Sequence, residues 1–159
     1  MSRELDAKVA VAVFGYRWMR FNPKCRILSH PNYNTRHLLS PSEIGMSVDG
    51  EPVYVPSDDG DDAIDDKAFM SVPRFSTDIE AAWSIVTEFE SRGLWFAGHA
   101  PPEKGDTYCW SFFRGNRSVS GKKYAKSVQK AICLAALEAV NSDPKTTETE
   151  AIARVGLDG

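Results

Sequence analysis

The sequence predicts an α+β fold in which helices pack on a mainly antiparallel β-sheet, a sandwich of the α/β/α type. Three observations predict it: a capped amphipathic segment opening at Phe75-Ser76-Thr77-Asp78-Ile79-Glu80, two aromatic-rich extended segments over 94–98 and 108–114, and a helical stripe of alanine and isoleucine that ends near Val140. The 159 residues, 42% hydrophobic and 11% aromatic, suffice for one core, and a single domain is expected over 1–140. A polar tail over 141–159 carries few apolar residues and is expected to fray.

The first helix is expected over 3–14. Ser2 stands at its cap, Glu4 and Asp6 face the positive first turn, and Leu5, Val9, Ala12 and Val13 repeat at helical spacing. Gly15 supplies the stop. The segment Tyr16-Arg17-Trp18-Met19-Arg20-Phe21 alternates less cleanly, and Asn22-Pro23, His30-Pro31-Asn32 and Ser40-Pro41 follow it as breakers, so a loop with a short extended piece is expected there. Asp49-Gly50 lies between β-prone flanks and predicts a small hairpin, because both residues tolerate positive φ. Six aspartates between Asp58 and Asp66 repel one another and offer little to bury, which predicts an acidic mobile loop within 57–72. Their spacing does not match a calcium-binding helix–loop–helix.

Thr77 with Glu80 three residues on reads as a capping box, so a helix starts there, and Ile79, Ala82, Trp83, Val86 and Phe89 form its core face. Trp83 is accordingly expected as a core anchor. Gly93 ends the helix. In the second extended segment Tyr108, Trp110 and Phe112 share one face, and Cys109, Ser111 and Phe113 the other. The last helix is expected over 122–140, with Ala125, Val128, Ile132, Ala135, Ala136 and Ala139 on one stripe.

The string Phe75-Ser76-Thr77-Asp78-Ile79-Glu80-Ala81-Ala82-Trp83, continued by Ile85 and Val86, resembles the hallmark of the phage ABA sandwich domain family. The later Ala131-Ile132-Cys133-Leu134-Ala135-Ala136-Leu137 helix and the Gly15-Tyr16-Arg17-Trp18 step are similar to two further elements of it. The resemblance implies a phage or prophage source and helices covering a sheet. It implies no reaction and no catalytic residues. The stretch over 22–72 departs from the family's pattern.

Function is less legible than fold. No apolar run approaches the roughly 20 residues of a membrane helix, and no signal-peptide pattern opens the chain, so a protein of the bacterial host's cytoplasm is expected. Cys25, Cys109 and Cys133 form no Cys-x-x-Cys pair; Cys25, His30 and His37 could approach one zinc ion, but a fourth ligand is not evident. No hydrolase signature is present, and neither a catalytic residue, a metal nor a cofactor is expected.

The charges are segregated despite a net −3. Six cations and no carboxylate lie between Ala7 and Ser42, and six cations and no carboxylate between Thr107 and Leu137. On the expected helix, Lys122, Lys126 and Lys130 would repel one another and oppose the macrodipole, a conflict that a bound anion would relieve. Arg114, Arg117, Lys122 and Lys123, with Arg17 and Trp18, are therefore the expected ligand-binding residues. The expected function is a non-catalytic phage binding protein that holds an anionic, nucleotide-like molecule, sequestering a host defence signal. Alternatives are a nucleic-acid-binding module and a structural or partner-binding accessory protein, including a homo-oligomer.

Overall fold

The computed structural model describes residues 3–24, 36–57, 66–99 and 107–143. Its elements in chain order are α1 (Arg3–Phe14), β1 (Arg17–Phe21), β2 (His37–Leu39), the single-turn α2 (Pro41–Ile44), the short strands β3 (Ser47–Val48), β4 (Glu51–Pro52) and β5 (Tyr54–Pro56), a 3-10 turn at Asp66–Phe69, α3 (Ile79–Ser91), β6 (Trp95–His99), β7 (Tyr108–Arg114), β8 (Arg117–Ser118), β9 (Lys123–Ala125) and α4 (Val128–Ser142). Every strand pair is antiparallel, and the fold is α+β. The chain forms two compact units, Met1–Phe14 with Arg74–Gly159, and Gly15–Pro73. Among the described residues no helix is long and apolar enough to cross a membrane.

In the first unit β7 is the central strand. β6 pairs with one edge, while β8 and β9 follow one another along the opposite edge. Between β8 and β9 the ladder breaks, and Phe112 bridges the gap: its carbonyl accepts from Val119 N at 2.9 Å, and its N–H donates to Ser120 Oγ at 2.9 Å. A serine hydroxyl thus replaces a strand carbonyl, and the buried amide stays satisfied.

α4 touches α1, α3, β7 and β9, so it must be buried on several sides. Its sequence suits that position. Ala131, Ala135, Ala136 and Ala139 are all fully buried, and such small side chains let neighbouring backbones approach closely. Ile132 and Cys133 fill the remaining space. Burial, with the Asp6 charge as a lesser cause, pushes the Cys133 thiol up to about 12 from its ordinary value of 9.0, so it is a neutral packing group. Phe89 of α3 meets Phe112 of β7 edge-on at 4.6 Å.

Asp6 stands in the first turn of α1, as expected, and has a further role there. It is completely buried; its Oδ1 accepts from Ser76 N at 2.7 Å, and its Oδ2 from Arg3 Nη1 at 3.0 Å. This bond ties α1 to the turn before α3, and the stacked rings of Phe14 and Phe75, 5.2 Å apart, hold the same junction. That turn also shifts the expected cap. Asp78, not Thr77, is the N-cap of α3 and accepts from Glu80 N at 2.9 Å, because the amides of Thr77 and Asp78 both bond back to Arg74 O.

The last helix is a second correction. It begins at Val128 behind the cap Ser127, whose hydroxyl accepts from Lys130 N, and not at Lys122. Lys123–Ala125 is instead strand β9, drawn into the sheet by pairing with 108–110. The helical spacing of Lys122 and Lys126 therefore has no structural meaning. Of the tail expected over 141–159, Asn141 and Ser142 complete α4, Asp143 is buried, and residues 144–159 lie outside the described residues.

In the second unit β1 is the centre of a three-stranded sheet, flanked by β2 and β5. β1 is the short extended piece expected in the 16–21 segment, and it fills most of it, although cations and aromatics on both of its faces blur the alternation. The Asp49-Gly50 hairpin forms as expected, with φ of 52° and 81° at its two central residues. Ser40-Pro41 opens α2 with a reciprocal capping box to Glu43, and Glu43 Oε2 also accepts from Ser71 Oγ at 2.8 Å. Met19, Leu38, Leu39, Val53, Ala68 and Val72 form this unit's small core. Of the acidic loop expected over 57–72, residues 58–65 lie outside the described residues, while Ser57, Ala68 and Val72 are buried.

Asp6→Ala leaves the buried Ser76 amide without an acceptor and should cost about 1–3 kcal/mol, with Asp6→Asn milder, since its amide oxygen still accepts. Urea unfolding would show this as a lower midpoint at unchanged m, and a loss no larger than that of the exposed Glu4→Ala would remove the role assigned to Asp6. For Cys133, the unfolded thiol ionises from about pH 9 and the folded one only near 12, so its stabilising contribution is complete below pH 9 and declines above it. A thiol reagent at pH 8 should accordingly label Cys133 only after unfolding, and rapid labelling of the native protein would contradict its placement.

Candidate functional site

A cleft of about 350 Å³ opens in the first unit, lined by Trp83, Phe96, Gly98, His99, Tyr108, Trp110 and Val128. Its walls follow from the fold. α3 supplies Trp83, β6 and β7 supply the sheet residues, and α4 begins at Val128 on its rim. Phe96, Gly98, Tyr108 and Trp110 stand on one sheet face by strand alternation and register.

Ring geometry is set by one small residue. Gly98 lies opposite Trp110, and a Cβ at position 98 would meet the Trp110 six-membered ring at 2.5 and 2.6 Å. Glycine alone lets the indole lie down over the neighbouring strand. Trp110 then stacks on Phe96 at 4.8 Å with 9° between planes, and Trp83 stands edge-on to both, 5.5 Å from Phe96 and 6.2 Å from Trp110. Such arrangements match the quadrupoles of aromatic rings.

Trp83 is 46% exposed, which corrects its expected place in the core. The buried stripe of α3 is Ala82, Ile85, Val86 and Phe89, one step around the helix from the expected one; Ile79 and Trp83 fall at its margin. Trp110, by contrast, is only 5% exposed, and its indole N–H has no partner among the described residues. At the rim, the amides of Val128 and Gln129 belong to the open first turn of a 15-residue helix.

The residues expected to bind a ligand fall elsewhere, in two groups. Arg114 donates from Nε to Asp143 Oδ2 at 2.7 Å and from Nη1 to Arg92 O at 3.2 Å, so it serves the C-terminal ends of α3 and α4. Arg117 approaches the same carboxylate at 3.8 Å with its side chain 69% exposed. Lys122 is exposed, and Lys123 lies 3.9 Å from Glu138 while pairing in register with Trp110. Arg17 and Trp18 belong to the second unit, where Arg17 is exposed at the start of β1 and Trp18 lies under Arg36, whose Cζ is 4.5 Å from the ring centroid. Of the three zinc candidates, Cys25 and His30 lie outside the described residues.

The cleft residues were visible in the sequence only in part. Tyr108, Trp110 and Phe112 were assigned to one strand face, but Gly98 inside an aromatic strand was the unused signal, since such a glycine marks close approach by another group. Residues 7–137 match the family described as the phage ABA sandwich domain. No curated protein and no solved structure matches the chain.

Gly98→Ala should drive Trp110 off its strand and cost about 1–3 kcal/mol through overpacking. Trp83→Ala, at a half-exposed site, should cost about 1–2 kcal/mol, below the ~3–5 of a fully buried tryptophan. Chemical denaturation of both variants checks the pair, and a larger loss for Trp83→Ala than for Phe89→Ala would return Trp83 to the core.

Proposed function

From the premise that the chain belongs to the phage ABA sandwich domain family, a family described by a fold and not by a reaction, we propose that it is a non-catalytic binding protein whose aromatic cleft takes the flat ring of a nucleotide-type ligand. The observation that carries this reading is a cleft of about 350 Å³ whose aromatic wall is the half-exposed Trp83 in edge-on contact with the stacked Phe96–Trp110 pair. Apolar aromatic walls with a few polar groups are the usual composition of a small-molecule site. The open first turn of α4 suits an anionic group, and Lys123 lies on the neighbouring strand beside Trp110.

A phage binder without a reaction of its own would act by withdrawing its ligand from the host, and sequestration of a nucleotide defence signal fits that role. The nucleic-acid alternative draws on Arg117, Lys122 and Lys126, all exposed.

The test is thermal melting of the protein against cyclic and linear nucleotides, short DNA and short RNA. A nucleotide should raise the melting temperature with saturable, mass-action dependence. Trp83→Ala should weaken that binding by about tenfold, as loss of one base-stacking wall implies. Stabilisation only by the oligonucleotides, falling steeply with salt and indifferent to Trp83→Ala, would replace this reading with the nucleic-acid one. No response to any of the four would overturn both.

A further inference from the structure

We infer that the second unit carries an oxyanion site of its own, built by Arg20 and Arg36 and specific for a phosphate-type group. β1 and β2 pair Arg17 with Leu39, Trp18 with Leu38 and Met19 with His37. Arg20 follows the last pair on β1, and Arg36 immediately precedes β2, so continuing the register would bring the two together. Trp18 and Arg20 share a face of β1 by strand alternation, and Arg36 lies with its Cζ 4.5 Å above the Trp18 ring. The strand register and the Arg36–Trp18 contact together point the two guanidinium groups to one face of one small sheet.

Among the described residues neither group is neutralised. The Nε atoms of Arg20 and Arg36 are buried without a hydrogen-bond partner, and neither arginine takes part in an ion pair among the described residues. Like charges opposite one another on adjacent strands destabilise a sheet, and a buried guanidinium donor without an acceptor adds to that cost. The other inward-facing cations show the contrast: Arg92 is bonded to Glu88, and Arg114 to Asp143. Folding engages those two and leaves Arg20 and Arg36 with donors to spare.

A tetrahedral oxyanion resolves both conflicts at once. Its oxygens accept from the planar forks of two guanidinium groups, and its charge cancels their repulsion. The Nε atoms are sealed in the empty protein, so a ligand reaches them by a change of side-chain torsion. Arg36 is the arm free to give, since its described contact is the face of Trp18, and Phe69 supports that indole from its edge at 5.7 Å. Binding thus draws Arg36 off the Trp18 ring and alters the indole's surroundings. The site lies wholly within the second unit and does not depend on the aromatic cleft.

The experiment titrates the whole protein with inorganic phosphate, against chloride at matched ionic strength, reading tryptophan emission and melting temperature. A saturable change in emission is expected, absent in Trp18→Phe, with a rise in melting temperature. Arg20→Gln and Arg36→Gln should each weaken phosphate binding by about tenfold or more, Arg36→Lys by less, since a lysine keeps the charge but loses the fork. Trp83→Ala should leave the phosphate response intact, which separates this site from the cleft. An emission change that persists in Trp18→Phe, an equal response to chloride, or unaltered phosphate affinity in folded Arg20→Gln and Arg36→Gln, as judged by circular dichroism, would overturn the proposal.

Discussion

A buried carboxylate fixes how the first unit is assembled. Asp6 is withdrawn from water, which is costly for a charge unless donors surround it, and its donors are the Arg3 guanidinium and the backbone amide of Ser76. The second of these joins residues 70 positions apart in the chain. Because an amide can meet Asp6 only if the turn at 74–78 lies against α1, the bond also sets where α3 begins and which way its faces point. Its phase puts Ala82, Ile85, Val86 and Phe89 inward and leaves Trp83 at the margin, over the cleft. A charge in α1 thus determines the position of an aromatic wall that it does not touch.

The same junction explains why so much of the fold was legible and where legibility stopped. Local signals placed α1, α3 and the aromatic strands, since capping residues, helical spacing and aromatic alternation act within a few residues. Errors arose where a distant partner decided the outcome. Lys122, Lys123 and Tyr124 have a spacing compatible with a helix, yet 108–110 offers them a strand edge, and the helix waits for Ser127. Thr77 and Glu80 satisfy the capping-box pattern, yet the amides of Thr77 and Asp78 are engaged by Arg74 O, and Asp78 becomes the cap. The box that does form, Ser40 with Glu43, sat in a stretch read only as a breaker because Pro41 follows the serine; proline at the first helical position favours a helix start.

The cleft shows how a site emerges from packing that is slightly incomplete. Phe112 meets the fully buried Phe89, whereas two residues away Trp110 meets the half-exposed Trp83 edge-on and stacks on Phe96. Gly98 makes room below, and Trp83 covers the pair edge-on without sealing it. The result is flat apolar surface, a buried indole N–H with no acceptor among the described residues, and a helix start at the rim. What distinguished these residues was depth, and depth is set by how α3 and α4 settle on the sheet.

Charge teaches the complementary lesson. Two carboxylate-free stretches of equal formal charge invited the same reading, and the fold treats them differently. In the later stretch Arg114 and Arg117 converge on Asp143, a buried carboxylate at the end of α4, and Lys123 lies near Glu138. Their acids sit just beyond the stretch, so the sequence shows an excess where the structure shows pairing. In the earlier stretch Lys8 finds Glu4 one helical turn away, but for Arg20 on β1 and Arg36 just before β2 there is no described acid. A run of cations is therefore weak evidence of a binding site until each has been matched with its partner in space, and Arg20 and Arg36 beside Trp18 are the pair without an acid among the described residues.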